Sequence, residues 1–160
     1  VRDEADEGSP LAIMGATSEA ANLNVTDIQR SIAFYEGLGF EIMHVFGDRP
    51  DSDVMEGMTF HGGHCRGVVM TLGAHDRCWT KIELIQWVEP PVEPRPPAST
   101  YAAGISRIAL RTRNLLAFVA HLKEQGIEFE REPEDIDIVG ARRFALFRDP
   151  DGILLELVEF

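Results

Sequence analysis

Cysteine is scarce in this chain. Cys65 and Cys78 are the only two in 160 residues, and they do not form a Cys-x-x-Cys pair. This excludes a disulfide framework, offers no metal-type thiolate spacing, and fits a reducing compartment such as the cytoplasm. Basic residues are also few. Fifteen Lys and Arg stand against 27 Asp and Glu, a formal net charge of −12. A phosphate backbone requires a basic face, so nucleic acid is not an expected partner. The surplus charge serves solubility and would steer cationic ligands. No apolar run approaches the roughly 20 residues of a membrane span, so no membrane partner is expected. Val1–Pro10 is acidic, unlike a secretory leader, and residues 1–17 read as a polar N-terminal extension.

What the chain does have is an internal repeat. Ala20 through Ile42 lies without gaps over Arg107 through Phe129, at an offset of 107 − 20 = 87. Leu23 falls on Leu110, Asp27 on Asn114, Ala33 on Ala120, Gly39 on Gly126 and Glu41 on Glu128. Ile82-Glu83-Leu84-Ile85 likewise matches Leu155-Glu156-Leu157-Val158. A repeat of this length means two similar modules packed together, with any site between them built from paired positions. Apolar residues make up 44% of the chain, enough for a real core.

Local signals give each module the same order. Ala21–Val25 alternates as a strand, Asp27 is placed to cap a helix, and Ile28, Ile32, Tyr35 and Leu38 fall at helical spacing before Gly39. Phe40–Phe46 reads as the next strand. Gly47–Gly57 reads as a polar loop, and Gly67–Leu72 and Lys81–Val88 as a hairpin through Gly73–Thr80. Ser106–Arg111, a helix capped by Asn114 and ended at Gly126, a short strand Ile127–Glu130, then Arg142–Arg148 and Ile153–Phe160 repeat the pattern. The last two strands meet at the turn Asp149-Pro150-Asp151-Gly152. Five prolines between Val88 and Pro97 make a stiff linker. The expected architecture is α+β. It has βαβββ modules at residues 18–88 and 104–160 joined by a Pro-rich linker at 89–103, and their sheets form one cup.

Three segments, taken in order, resemble the vicinal oxygen chelate superfamily, which includes glyoxalases, bleomycin-resistance proteins and extradiol dioxygenases. They are Val25 through Tyr35 with Leu38-Gly39-Phe40, then Ile82-Glu83-Leu84-Ile85, then Phe147 through Gly152 leading to Leu155-Glu156-Leu157. The resemblance covers about Ala20 to Phe160. It implies a divalent metal (Zn, Mn, Ni, Co or Fe) held by one residue on the first strand and a Glu on the last strand of each module. Glu83 and Glu156 match the last-strand positions, but Ala20 and Arg107 stand where the first-strand ligands would be. The expected cofactor is therefore either none or a metal held by Glu83 and Glu156 with His64 as a further candidate ligand. His61 is a weaker candidate, and His44, His75 and His121 have no assigned role.

Strand residues alternate faces, so these positions carry others with them. Glu83 brings Lys81, Ile85 and Trp87; Glu156 brings Leu154, Val158 and Phe160; position 20 brings Asn22 and Asn24; Arg107 brings Ala109 and Arg111. Glu83, Glu156 and Arg107 are the candidate catalytic residues. Asn22, Asn24, Lys81, Trp87, Arg111 and Phe160 are the candidate ligand-binding residues. Arg107 supplies a fixed cation where a metal would otherwise neutralise two carboxylates, although a purely structural salt bridge would use the same three residues. Two functions compete. One is a lyase or isomerase (epimerase) acting on a small carbonyl compound, with Glu83 or Glu156 as base and Arg107, Lys81 or a metal stabilising the enolate oxygen. The other is a metal-free protein that binds a cationic or aromatic small molecule, as bleomycin-resistance proteins do. A ring-cleaving dioxygenase is the weakest alternative. A homodimer is the default assembly.

Overall fold

The computed structural model describes residues 20–47, 63–73, 80–94, 101 and 103–160. The strands are β1 (Ala21–Asn24), β2 (Phe40–Phe46), β3 (His64–Leu72), β4 (Thr80–Glu89), β5 (Ile108–Thr112), β6 (Phe129–Ile138), β7 (Ala141–Arg148) and β8 (Leu154–Glu159). Helix α1 (Ile28–Gly37) follows β1, and helix α2 (Leu115–Glu124) follows β5. They form two four-stranded mixed sheets, ordered β1-β4-β3-β2 and β5-β8-β7-β6. Among the described residues no helix is long and apolar enough to cross a membrane. The polar loop, most of the first-module hairpin turn and part of the linker lie outside the described residues, as do His61, His75 and Cys78.

The repeat is reproduced in the pairing register. Asn22 pairs with Glu83 across the parallel β1/β4 ladder, and Ala109 with Glu156 across β5/β8. The differences, 109 − 22 = 87 and 156 − 83 = 73, are those of the sequence match. The helix starts repeat too. Asp27 accepts from the backbone N–H groups of Gln29 and Arg30, and Asn114 accepts from that of Ala117. The first helical N–H of each helix is taken by the last strand of its own sheet: Ile28 N–H by Gln86 (3.1 Å) and Leu115 N–H by Glu159 (2.6 Å). This closes an otherwise orphan donor at both helix ends.

Each helix buries one stripe on one face of its sheet. In α1 this is Ile28, Ser31 and Tyr35; in α2 it is Leu115, Val119 and Leu122. The strand residues beneath them are buried as well, including Leu23, Met70, Ile82 and Leu84 in one sheet and Leu110, Phe147, Leu155 and Leu157 in the other. The core runs continuously through both modules. Phe34 of α1 lies 6.3 Å from Phe147 of β7, between ring centroids.

Two strands differ from the sequence expectation. β3 begins three residues earlier, at His64 rather than Gly67. β6 runs to Ile138 rather than stopping at Glu130. Phe129–Ile138 carries five acidic residues and Pro133, so it shows no apolar alternation. It is an edge strand, where one side of the backbone needs no partner, proline is tolerated, and bulges are common.

Gly47 ends β2 at φ +82°, and a Cβ built there would lie 2.4 Å from the Cys65 carbonyl oxygen. Gly73 has a similar φ of +90°, but a Cβ there would meet no atom of the described residues within 4 Å. Gly47→Ala is therefore expected to cost more than the roughly 1–3 kcal/mol of left-handed strain that Gly73→Ala would incur. Equal urea midpoints for the two variants would show that the backbone contact carries no penalty.

Candidate functional site

The face of each sheet away from its helix carries the candidate residues. In-register neighbours share a face, so Asn22, Glu83 and Val69 form one row across β1, β4 and β3, and Ala109, Glu156 and Leu146 form the equivalent row across β5, β8 and β7. The facing expected from strand alternation holds in each contact among these residues. Arg107 Nε–H donates to Glu156 Oε2 at 2.8 Å. Trp87 Nε1–H donates to Asn24 Oδ1 at 3.0 Å. The Arg111 guanidinium lies 4.3 Å from the Phe160 ring centroid.

The two carboxylates are not equivalent. Glu156 is 15% exposed at its side chain and is held by Arg107. Glu83 is half-buried and receives no hydrogen bond or ion pair from the described residues. Lys81, two residues before Glu83 on the same face, is half-buried and pairs in register with Thr71. The Thr71 hydroxyl is buried without a hydrogen-bond partner. Part of the first face is already filled, because Cys65 and Ile85 are buried there under Phe46 and Trp87. Burial pushes the Cys65 thiol up, which keeps it protonated and unreactive.

A divalent metal does not fit these residues. The Ala20 side chain has no donor atom, and Arg107 places a guanidinium cation on the carboxylate that would bind the metal. Among the described residues no three His, Cys, Asp or Glu side chains gather as a ligand set. His64 opens β3, and its Nε2 lies 3.1 Å from the Gly47 carbonyl oxygen, so its described contact is with the end of β2. His44 stacks on Phe46, and His121 lies beside Gln125 on the surface of α2.

Sequence reasoning had no access to the residues on the third strand of each sheet, Val69 and Thr71 on β3 and Phe144 and Leu146 on β7, which share the candidate face. Their alternation was visible, but which parity faces the site depends on the β3/β4 and β7/β8 registers. It also did not identify the junction between modules. There Asp151, in the β7–β8 turn, accepts from Thr26 N–H, the Thr26 hydroxyl, Arg30 and Ser31. Next to it, the buried Tyr35 hydroxyl donates to Asp149 Oδ2 at 3.1 Å.

The chain matches known proteins over this whole framework. The family model described as Glyoxalase/Bleomycin resistance protein/Dioxygenase superfamily matches residues 17–157. The uncharacterised protein YaeR of Escherichia coli (strain K12) is 36% identical over 78 residues, which is 49% of this chain and 57% of that protein. The matched stretch thus spans little more than half the length of that relative. A glyoxalase family protein from Bacillus cereus superposes with a TM-score of 0.73 at 19% identity, covering 89% of this chain and 92% of that one. TnmS3, an antibiotic binding protein from Streptomyces sp. CB03234, superposes with a TM-score of 0.55 at 24% identity, covering 90% and 97%. With its repeated register, its two mixed sheets and a family match over nearly its whole length, the chain belongs to the glyoxalase/bleomycin resistance protein/dioxygenase superfamily.

Proposed function

We propose that the two helix-free faces close on one small carbonyl compound and that the protein is a lyase or isomerase working without a metal. The observation that carries this reading is the asymmetry of the repeated glutamates. Among the described residues nothing donates to the Glu83 carboxylate, whereas Glu156 accepts from Arg107 at 2.8 Å. A half-buried carboxylate with free lone pairs is equipped to act as a base. A guanidinium fixed by its neighbour is equipped to stabilise negative charge on oxygen. In the proposed step, Glu83 removes a proton from the carbon next to the carbonyl. The C–H electron pair moves into the carbon framework, and the enolate oxygen is stabilised by an Arg107 N–H. Return of the proton to the same or the opposite face, or loss of a leaving group, completes an isomerase or a lyase reaction.

Solvent exchange tests this without knowledge of the substrate. In heavy water, the wild type is expected to catalyse deuterium incorporation beside the carbonyl in some members of a panel of small aldehydes, ketones and 2-oxoacids. Glu83→Gln is expected to lower the exchange rate by about 10²–10⁴-fold while ligand-induced amide shifts persist. Arg107→Ala is expected to lower it by about 10²–10³-fold. Exchange unchanged in Glu83→Gln would overturn the assignment.

A second reading, sequestration without turnover, is favoured by the likeness to the antibiotic binding protein TnmS3 and by the aromatic side chains Trp87 and Phe160 on the faces. Binding of aromatic compounds with no exchange in any of them would select it.

A further inference from the structure

We propose that Arg111, held over Phe160, with Arg142 at the same end of the sheet, forms an oxyanion subsite, so that the ligand of this face is an organic anion with an apolar body. The proposal rests on the reading that the helix-free faces take a small molecule, and it names the class of that molecule.

The repeat provides an internal control. Asn24 and Trp87 in the first module correspond to Arg111 and Phe160 in the second, since 111 − 24 = 87 and 160 − 87 = 73. In the first module the pair is closed: the indole N–H donates to the Asn24 side chain. In the second module the aromatic side has no polar atom, so the ring contact leaves every guanidinium N–H of Arg111 available. Nothing else among the described residues takes them, for Arg111 has no carboxylate partner there. Arg107, four residues earlier on the same face, differs in being ion-paired through its Nε to Glu156. Arg142 adds a second cation. The β7/β8 ladder ends with Arg143 paired to Glu159, so Arg142 and Phe160 each lie one residue beyond that last pair, at the same end of the sheet. Arg142 too has no carboxylate partner among the described residues.

The chain carries 27 acidic residues, so two exposed arginines without carboxylate partners among the described residues, at the same end of the β7/β8 ladder, form a local reversal of its charge. The planar fork of a guanidinium matches a carboxylate or phosphate bidentately, and its contact with the ring holds it in place. The surface next to it is apolar. Val158 and Phe144 share the Arg111 row across β8 and β7, and both are half-buried. An anionic head group on Arg111 therefore places the rest of the ligand over Val158 and Phe144, toward the row that holds Glu156. The cationic ligand that net charge alone would favour is repelled here.

The test uses phenylphosphonate, benzoate, benzyl alcohol and benzylamine, with inorganic phosphate as the head group alone, followed by calorimetry and amide shifts. Phenylphosphonate and benzoate are expected to bind in the millimolar range or tighter, at least about tenfold better than the alcohol or the amine. Their affinity should weaken when salt is raised roughly tenfold. Arg111→Gln is expected to cost about tenfold or more, Arg142→Gln less, and Lys123→Gln nothing measurable, the tenfold loss corresponding to one decade in Kd. Arg111 is exposed, so its variant is expected to fold normally, and circular dichroism checks this. Phosphate binding as tightly as phenylphosphonate would overturn the apolar half of the proposal. Benzyl alcohol binding beside Glu83 and Glu156 as well as benzoate does, or unchanged affinity in Arg111→Gln, would overturn the anion subsite and leave the reading of the face intact. No binding by any of the aromatic compounds would overturn the subsite. Loss of the Glu83 exchange result would instead overturn the catalytic reading and leave anion binding standing.

Discussion

Asp149→Ala is expected to destabilise the fold by about 3–5 kcal/mol, the range for removing one partner of a buried polar network. Asp149 is 5% exposed, and its carboxylate accepts three hydrogen bonds: from Tyr35 OH (3.1 Å), Asp151 N–H (3.0 Å) and Ile153 N–H (2.7 Å). Alanine strands all three donors, and Tyr35 itself is 1% exposed. Burial, and after it the Asp149 charge, hold the Tyr35 phenol protonated well above its ordinary range, so it can act only as a neutral partner. The turn that Asp149 organises also presents Asp151 to Thr26, Arg30 and Ser31 of the other module, so the loss extends to the junction between modules. Urea unfolding measures the change, and a loss under about 1 kcal/mol would show that water replaces the carboxylate without cost.

Asp149→Asn separates shape from charge. Its Oδ1 can still accept from Asp151 and Ile153, and its amide can donate to the Tyr35 oxygen, so the cost is expected to stay near 1 kcal/mol, the net value of one hydrogen bond. Burial raises the Asp149 carboxyl above its usual value of 3.8, an effect opposed by its three donors. A carboxyl raised in the folded state favours folding when protonated. Its contribution is therefore fully present below 3.8 and lost as pH rises through the raised value. The stability difference between wild type and Asp149→Asn should accordingly shift in favour of wild type as pH falls from neutrality toward 4, roughly the unfolded-state carboxyl value. A difference that shifts the other way would mean that the three donors outweigh burial.

Phe147→Ala is expected to cost about 3–5 kcal/mol, as buried phenylalanine truncations do. The ring is fully buried, 5.2 Å from Phe129 on the neighbouring strand and 6.3 Å from Phe34 on α1 of the other module, between centroids. Truncation leaves a cavity within one sheet's core and at its contact with the other module. Phe147→Leu keeps most of the volume and is expected to lose less than about 1.5 kcal/mol. Both values come from urea unfolding. A second transition in the alanine variant would show that the modules then unfold separately, and a loss below about 1.5 kcal/mol would show that the site relaxes to fill the space.

The sequence determined the repeat, and with it the two-module architecture, because similar residue patterns bury similar faces. Asp27, Asn114, Gly39 and Gly126 marked both helices locally, since capping and left-handed turns depend on neighbours only a few residues away. Strand alternation was enough to place Glu83, Glu156, Arg107, Trp87, Arg111 and Phe160 on helix-free faces, a property of period two that needs no partner strand. Only the tertiary structure decided the rest, because it depends on residues far apart in the chain. The β3/β4 and β7/β8 registers put Thr71 and Phe144 on those faces. Pairing with β7 made a strand of the acidic segment Phe129–Ile138, which carries no apolar signal. The meeting of α1 with the β7–β8 turn assembled Tyr35, Asp149 and Asp151 across separations of 114 to 125 residues. Glu83 and Glu156 occupy the same position in the two copies of the repeat, and local pattern cannot tell them apart. The fold does so by pairing the Arg107 guanidinium with one of them and leaving the other without an ion pair among the described residues.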